Sequence, residues 1–179
     1  MDESHRFDTL ALHAGQEKDT VTYARAVPVH RTSSYLVRDT KHASDLFHLR
    51  ELGNIYTRLT NPTTEILEKR MAALEGGAAG LALASGTSAV FYSLINLMEA
   101  GEEFISARNL YGGTFTQFHD LLPALGITGK LIDSTDPENF RKAIDGKTRA
   151  LFCETVSNPA LEVADLDAIG AIALAAGIP

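Results

Sequence analysis

One cysteine, Cys153, stands in a chain of 179 residues. No disulfide can close within it, and a reducing cytoplasm is the expected compartment. Long apolar runs are missing as well. No stretch approaches the ~18 residues that a membrane-crossing helix requires, and the opening Met-Asp-Glu-Ser-His-Arg-Phe-Asp is too polar and acidic for a secretory signal. Basic blocks are absent: the net charge is −7, the pI is near 5.3, and no Lys/Arg cluster occurs. That balance argues against a nucleic-acid partner, which needs a positive footprint. Neither Gly-x-Gly-x-x-Gly nor Gly-Lys-Ser/Thr occurs, so dinucleotide and P-loop readings fail. His5, His13, His30, His42, His48 and His119 show no metal-ligand spacing, and one cysteine cannot complete a usual zinc set, so no metal is expected.

What is present is ordinary globular composition, 45% hydrophobic and 22% charged. Residues 1–60 hold five of the six histidines and no long apolar run, and read as an N-terminal arm that packs on another surface. His42–Leu52 suits a short amphipathic helix ending at Gly53-Asn54. Residues 61–179 form the regular part. Asn61 and Pro62 are an N-cap and a first helical residue, and Gly76-Gly77 stops that helix. Apolar runs near Leu81–Ala84, Phe104–Ser106, Gly129–Asp133 and Ala150–Cys153 then alternate with helical stretches at Thr87–Glu99, Thr114–Leu125 and Asp136–Asp145. Strand–helix–strand repetition of this kind predicts an α/β fold with a parallel sheet covered by helices. Leu166–Ala176 is a further helix, stopped by Gly177, and Ile178-Pro179 reads as the approach to another strand. The chain is therefore expected to be part of a longer one, the alternative being a small complete sheet with a helical finish.

Four stretches could carry chemistry. Ala78-Ala-Gly-Leu-Ala-Leu-Ala-Ser85-Gly86-Thr87-Ser88 runs from an apolar segment through a tight turn into a helix. Free backbone N–H groups and the positive end of the helix dipole gather there, which suits a phosphate. The same turn also occurs in α/β domains that bind nothing. Tyr56 and Arg58 lie two apart on an expected extended loop, which turns both side chains the same way and suits an anion clamp, or else a plain exposed pair. Tyr111, beside Gly112-Gly113, follows a strand and opens a helix, where a ring could stack on a planar cofactor or merely cap the core. Glu154 and Asn158, in Glu-Thr-Val-Ser-Asn-Pro, leave the last strand at the same edge and could bond a polar ring substituent or each other, or form a turn. Cys153 falls in an expected buried strand and reads as inert.

The order of these motifs is more informative than any one of them. Tyr-Thr-Arg-Leu-Thr-Asn-Pro-Thr, Leu-Glu-Gly-Gly, Ser-Gly-Thr-Ser-Ala, Leu-Tyr-Gly-Gly-Thr and Glu-Thr-Val-Ser-Asn-Pro resemble, in sequence order, the Cys/Met-metabolism family of pyridoxal-phosphate enzymes. The likeness runs from about Leu10 to Pro179. Within the family it leans to the O-acetylhomoserine sulfhydrylase branch, through Thr40-Lys-His-Ala-Ser-Asp-Leu-Phe, Gly53-Asn-Ile-Tyr-Thr-Arg and Leu110-Tyr-Gly-Gly-Thr-Phe.

The resemblance implies an incomplete three-layer large domain of the aspartate-aminotransferase-like (type I) transferase fold, preceded by the arm. It implies pyridoxal 5′-phosphate as cofactor. Ser85, Gly86 and Thr87 would hold its phosphate, with Thr87 standing where many relatives carry Met or Gln. Tyr56 and Arg58 would reach the phosphate of a neighbouring subunit. Tyr111 would stack on the ring and act in proton transfer, Asn158 would contact the ring 3′-oxygen, and Glu154 would support the site. The implied activity is γ-replacement on an O-acylated homoserine in a homotetramer whose sites are shared between subunits. Cystathionine γ-synthase, cystathionine or methionine γ-lyase, and O-succinylhomoserine sulfhydrylase are the alternative branches. The lysine that carries the cofactor, the Asp that pairs with its ring nitrogen and the Arg that binds the substrate carboxylate would lie beyond Pro179. The 179 residues alone are accordingly expected to be inactive, and a catalytically dead remnant is the rival reading.

Overall fold

The computed structural model describes residues 5–179; the first four residues of the polar opening lie outside it. It divides into two compact units, residues 1–82 and 83–179.

The first unit is helical. Helix α1 (Phe7–His13) packs on α3 (Pro62–Glu75), and the Arg70 Nε–H donates to the Ala14 carbonyl at 2.9 Å. Asn61 caps α3 by accepting the Thr63 N–H, Pro62 opens it, and Gly76 closes it at φ 66°, a conformation that costs a residue without a β-carbon little. Helix α2 (Thr40–Phe47) is capped by Asp39, whose carboxylate accepts the His42 N–H at 2.8 Å.

Helix α2 is shorter than the expected His42–Leu52. The chain turns out of the helix at Leu49, which adopts φ 55°, before the expected stop at Gly53 is reached. Only Leu46 of its apolar residues is buried; Phe47 and Leu49 face out. The helix at Phe7–His13 is an element the sequence reading did not include; Phe7, Leu10 and Ala11 recur at helical spacing, but over only seven residues, shorter than the window in which such a period stands out.

The second unit is a three-stranded parallel sheet in the order β2-β1-β3, with β1 at Glu103–Ala107, β2 at Thr128–Ile132 and β3 at Thr148–Phe152. Helix α4 (Gly86–Ile95) precedes β1. Between β1 and β2 the chain forms α5 (Gly112–Thr116), a π-helical turn (Gln117–Leu121) and α6 (Leu122–Ala124). Helix α7 (Glu138–Ala143) leads to β3, and α8 (Leu166–Ala176) follows it, with an Asp165 cap and Gly177 at its end.

Successive residues of β1 point to opposite faces, so each face gets its own core. Phe104 packs with Leu94, Met98, Phe118 and Leu122 on one side. Ile105 and Ala107 pack with Phe140, Ile169 and Ile172 on the other. Burial on both faces explains the adjacent apolar pair Phe104-Ile105, each side chain contributing ~1.5–3 kcal/mol of transfer free energy, and the buried Ser106 hydroxyl is satisfied by donating to the Ala107 carbonyl. The Leu151 N–H donates to the Pro179 carbonyl at 2.9 Å, so the last residue lies along the free edge of β3 as the sequence suggested.

The run Leu81–Ala84, expected to be a strand, is not one. A strand exists only where its N–H and C=O groups find a neighbouring ladder. Here the Ala82 N–H donates to the Glu68 carboxylate at 2.9 Å instead, and Leu81 is 76% exposed.

Candidate functional site

Sheet topology fixes where the loops of the second unit can build a site. From β1 the chain crosses one face, through the helical stretch that supplies Phe118 and Leu122, to the edge strand β2. It returns over the opposite face, where α7 supplies Phe140, to β3 on the other side of β1. The loops leaving β1 and β3 therefore diverge, which opens a crevice at the carboxyl ends of these two strands; ligands of open α/β sheets bind in such crevices. Tyr111 follows β1, and Glu154 and Asn158 follow β3.

These residues are joined. Glu154 Oε1 accepts the backbone N–H of Tyr111 at 2.9 Å. The segment Thr155–Ala164 is a small hairpin, held by the Val156–Val163 bridge and by the Ser157 N–H donating to the Glu162 carbonyl at 2.8 Å. Asn158 starts its tip, before a cis peptide bond to Pro159, and is exposed. The phenol ring of Tyr111, 54% exposed, lies over Gly113. A β-carbon at residue 113 would stand 2.7 Å from Tyr111 Cε1 and 3.4 Å from Thr87 Cγ2, so the glycine is what lets ring, helix start and Thr87 come together.

Thr87 belongs to the N-terminus of α4. Ser85 caps that helix: its hydroxyl accepts the Ser88 N–H at 3.1 Å, and its carbonyl accepts the Ala89 N–H at 3.0 Å. The N–H groups of Gly86 and Thr87, which no preceding turn can use, remain for a ligand at the positive end of the helix dipole. Gly86 has open space around the position of a β-carbon, and the hydroxyls of Ser85, Thr87 and Ser88 lie within 3.4 Å or less of one another in the pairs Ser85–Thr87 and Ser85–Ser88. An anionic group fits this turn. Gln117 steadies it from α5's continuation, donating its side-chain N–H to the Thr87 carbonyl at 2.9 Å.

Ser85, Gly86, Thr87, Tyr111, Glu154 and Asn158 thus share one unit and one sheet edge. Tyr56 and Arg58 belong to the first unit. Tyr56 forms an antiparallel bridge with Ser34, and the chain turns at once: the N–H groups of Leu59 and Thr60 donate to the Tyr56 carbonyl. Only Tyr56 is extended, but the two side chains do lie together, with Arg58 Cζ 5.7 Å from the centre of the Tyr56 ring, within cation–π range. Cys153 lies just past β3, and its half-burial pushes the thiol pKa up, as expected of an unreactive residue.

Sequence reading missed Gln117, Asn109 and Glu162. Gln117 is the first residue of a π-helical turn, a feature with no sequence signal, and Asn109 and Glu162 meet across 53 residues of chain, at a distance of 2.5 Å. Among the described residues no group of three or more His, Cys, Asp or Glu could hold a metal ion, and no helix is long and apolar enough to cross a membrane.

The chain resembles known proteins in sequence and in fold. A profile of the Cys/Met metabolism PLP-dependent enzymes matches residues 8–179. The chain is 52% identical over its whole length to the O-acetyl-L-homoserine sulfhydrylase of Leptospira meyeri, and covers 40% of that protein. It is 49% identical to the homocysteine synthase of Schizosaccharomyces pombe over 99% of its own length and 41% of that protein. A putative O-acetylhomoserine (thiol)-lyase from Campylobacter jejuni, solved with N′-pyridoxyl-lysine-5′-monophosphate, superposes with a TM-score of 0.90 at 40% identity, over 97% of this chain and 43% of the other. The chain belongs to the Cys/Met-metabolism family of pyridoxal-phosphate-dependent enzymes. Its fold is the corresponding part of their large domain, and it spans about two fifths of the length of the curated relatives it matches.

Proposed function

We propose that this chain is the amino-terminal portion of an enzyme that makes homocysteine from O-acetylhomoserine and sulfide, or methionine when a thiol is the donor. The observation that carries the reading is the Glu154–Tyr111 bond across the crevice, with the capped start of α4 beside Tyr111. The likeness to the sulfhydrylases supports this branch over the cystathionine enzymes and the methionine γ-lyases.

Bound pyridoxal phosphate supplies the electron sink that γ-replacement requires at the substrate's α- and β-carbons. The chain's own residues do the rest of what can be assigned. Gly86 and Thr87 bind the phosphate through backbone N–H groups, with the Ser85 hydroxyl at the rim. Tyr111 offers a flat apolar face for the ring and a phenol Oη that holds or passes a proton. The Asn158 amide orients the ring by donating to its 3′-oxygen. Glu154 acts through Tyr111, holding that residue's backbone so that its ring stays over Gly113.

Residues 1–60 act as an arm in this proposal. Tyr56 and Arg58, stacked on each other, clamp the cofactor phosphate of a neighbouring subunit in a homotetramer. The protein works in the cytoplasm, and its partner is a small amino-acid substrate rather than nucleic acid or membrane, in keeping with one cysteine and a net charge of −7. The 179 residues by themselves turn over nothing, because none of the residues at the crevice is the lysine on which the cofactor would be carried. The test is formation of homocysteine from O-acetylhomoserine and sulfide by the full-length protein and by this chain alone. Turnover by the first and none by the second is expected. Elimination from methionine or cystathionine, without homocysteine synthesis, would move the protein to another branch.

A further inference from the structure

Asn158 sits on a hairpin, and a hairpin tip is held only as well as its base. Its base is Glu162: the Ser157 N–H donates to the Glu162 carbonyl at 2.8 Å, and the Glu162 N–H donates to the Ser157 hydroxyl at 2.9 Å, directly next to Asn158. The Glu162 side chain leaves the hairpin, and its Oε2 accepts the side-chain N–H of Asn109 at 2.5 Å. Asn109 is two residues before Tyr111, whose own N–H is held by Glu154. Two carboxylates, one on each side of Asn158 in sequence, therefore take one hydrogen bond each from the segment 109–111. Neither is in an ion pair among the described residues, and both line a small cavity of about 40 Å³ with Ser134, Thr135 and Ser157. Hydrogen bonds to an ionised acceptor are shorter and stronger than neutral ones, and these two bridge loops that the topology sends apart.

We propose that Asn109 and Glu162 are a positioning pair that fixes the distance between the Asn158 amide and the Tyr111 ring, and so sets where a planar cofactor ring lies. This rests on the functional reading above for the ring, though not for the link itself. The Glu154–Tyr111 bond ties the outgoing end of the hairpin segment to the loop after β1; the Asn109–Glu162 bond ties its returning strand to the same loop, two residues before Ala164 packs against the Ile105 core. Neither side chain needs to touch cofactor or substrate.

The pair has a distinctive signature under substitution. Asn109→Asp sets two carboxylates against each other and abolishes the bond. Glu162→Gln keeps an acceptor oxygen and changes little. Combined, they restore a bond with donor and acceptor exchanged. In the full-length protein freed of cofactor, amide hydrogen exchange at 109–113 and 157–163 is expected to quicken about tenfold in Asn109→Asp and to return within about twofold of wild type in the double variant. Pyridoxal phosphate affinity and the visible circular dichroism of the bound cofactor should follow the same pattern. Unchanged exchange in Asn109→Asp, or a double variant no better than that single one, overturns the pair. A wild-type protein that takes up no pyridoxal phosphate would refute the proposed function instead, and the exchange measurements would still decide the pair.

Discussion

Glu154 Oε1 accepts the backbone N–H of Tyr111 at 2.9 Å, joining loops 43 residues apart where the chain leaves β1 and β3 in opposite directions. The carboxylate acts on main chain rather than on a side chain, so its effect is on where Tyr111 stands, whatever that residue then does. The bond also explains how a glutamate can matter at this edge without contacting a ligand.

Replacing Glu154 tests the bond directly. Glu154→Ala leaves the Tyr111 N–H to solvent, and loss of one such bond at a partly exposed position is worth about 1 kcal/mol. Exchange of the Tyr111 amide should then quicken roughly fivefold. Glu154→Gln retains an acceptor oxygen and should show less than half of that change in free energy. Equal rates in all three proteins would mean that the bond does not hold the loop.

Gly113→Ala should be felt through Tyr111. The new methyl would stand 2.7 Å from the ring, well inside contact distance, and Tyr111 is exposed enough to swing away. The expected cost is small in stability, about 1 kcal/mol, but large for cofactor, roughly tenfold weaker binding of pyridoxal phosphate by the full-length protein. Once the ring has been removed by Tyr111→Ala, adding Gly113→Ala should cost nothing more, because the two substitutions act on one contact. Additive losses in titrations of the four proteins would count against that contact.

Lys130 sets an acid limit far from the crevice. Its ammonium donates to Asp145 at 2.5 Å and pairs with the Glu103 carboxylate at 2.6 Å, and it holds the Asp145 carboxyl down from 3.8 to about 2. A depressed carboxylate pKa stabilises the fold above the unfolded value, and that contribution is lost as pH falls through the folded one. Wild type should therefore be more stable than Lys130→Met above pH 3.8, and the gap should close as pH falls toward about 2. Denaturant titrations at successive pH values from about 5 to about 2 would show it; a gap constant with pH would place the effect of Lys130 elsewhere.

Local chemistry made much of this protein legible. Asn61-Pro62 writes its helix start in adjacent residues, because a cap needs only a side-chain oxygen and the next turn's N–H groups. The apolar runs of β1, β2 and β3 and the motifs around Tyr111 and Asn158 are likewise readable along the chain, and their order is the family's. What needed the tertiary structure were relations between distant residues. Leu81–Ala84 has strand composition, yet a strand is a pairing and not a composition, and the Ala82 N–H went to Glu68. Helix α2 ends at Phe47, and the chain turns away at Leu49 through a backbone angle that no residue type announces. Asn109 meeting Glu162, and Gln117 meeting the Thr87 carbonyl, depend on the sheet order β2-β1-β3 and on a π-helical turn, neither of which any short stretch of sequence encodes. The residue types of a cofactor site are local and can be read along the chain; the bonds that hold those residues at fixed distances are long-range, and only folding brings their two ends together.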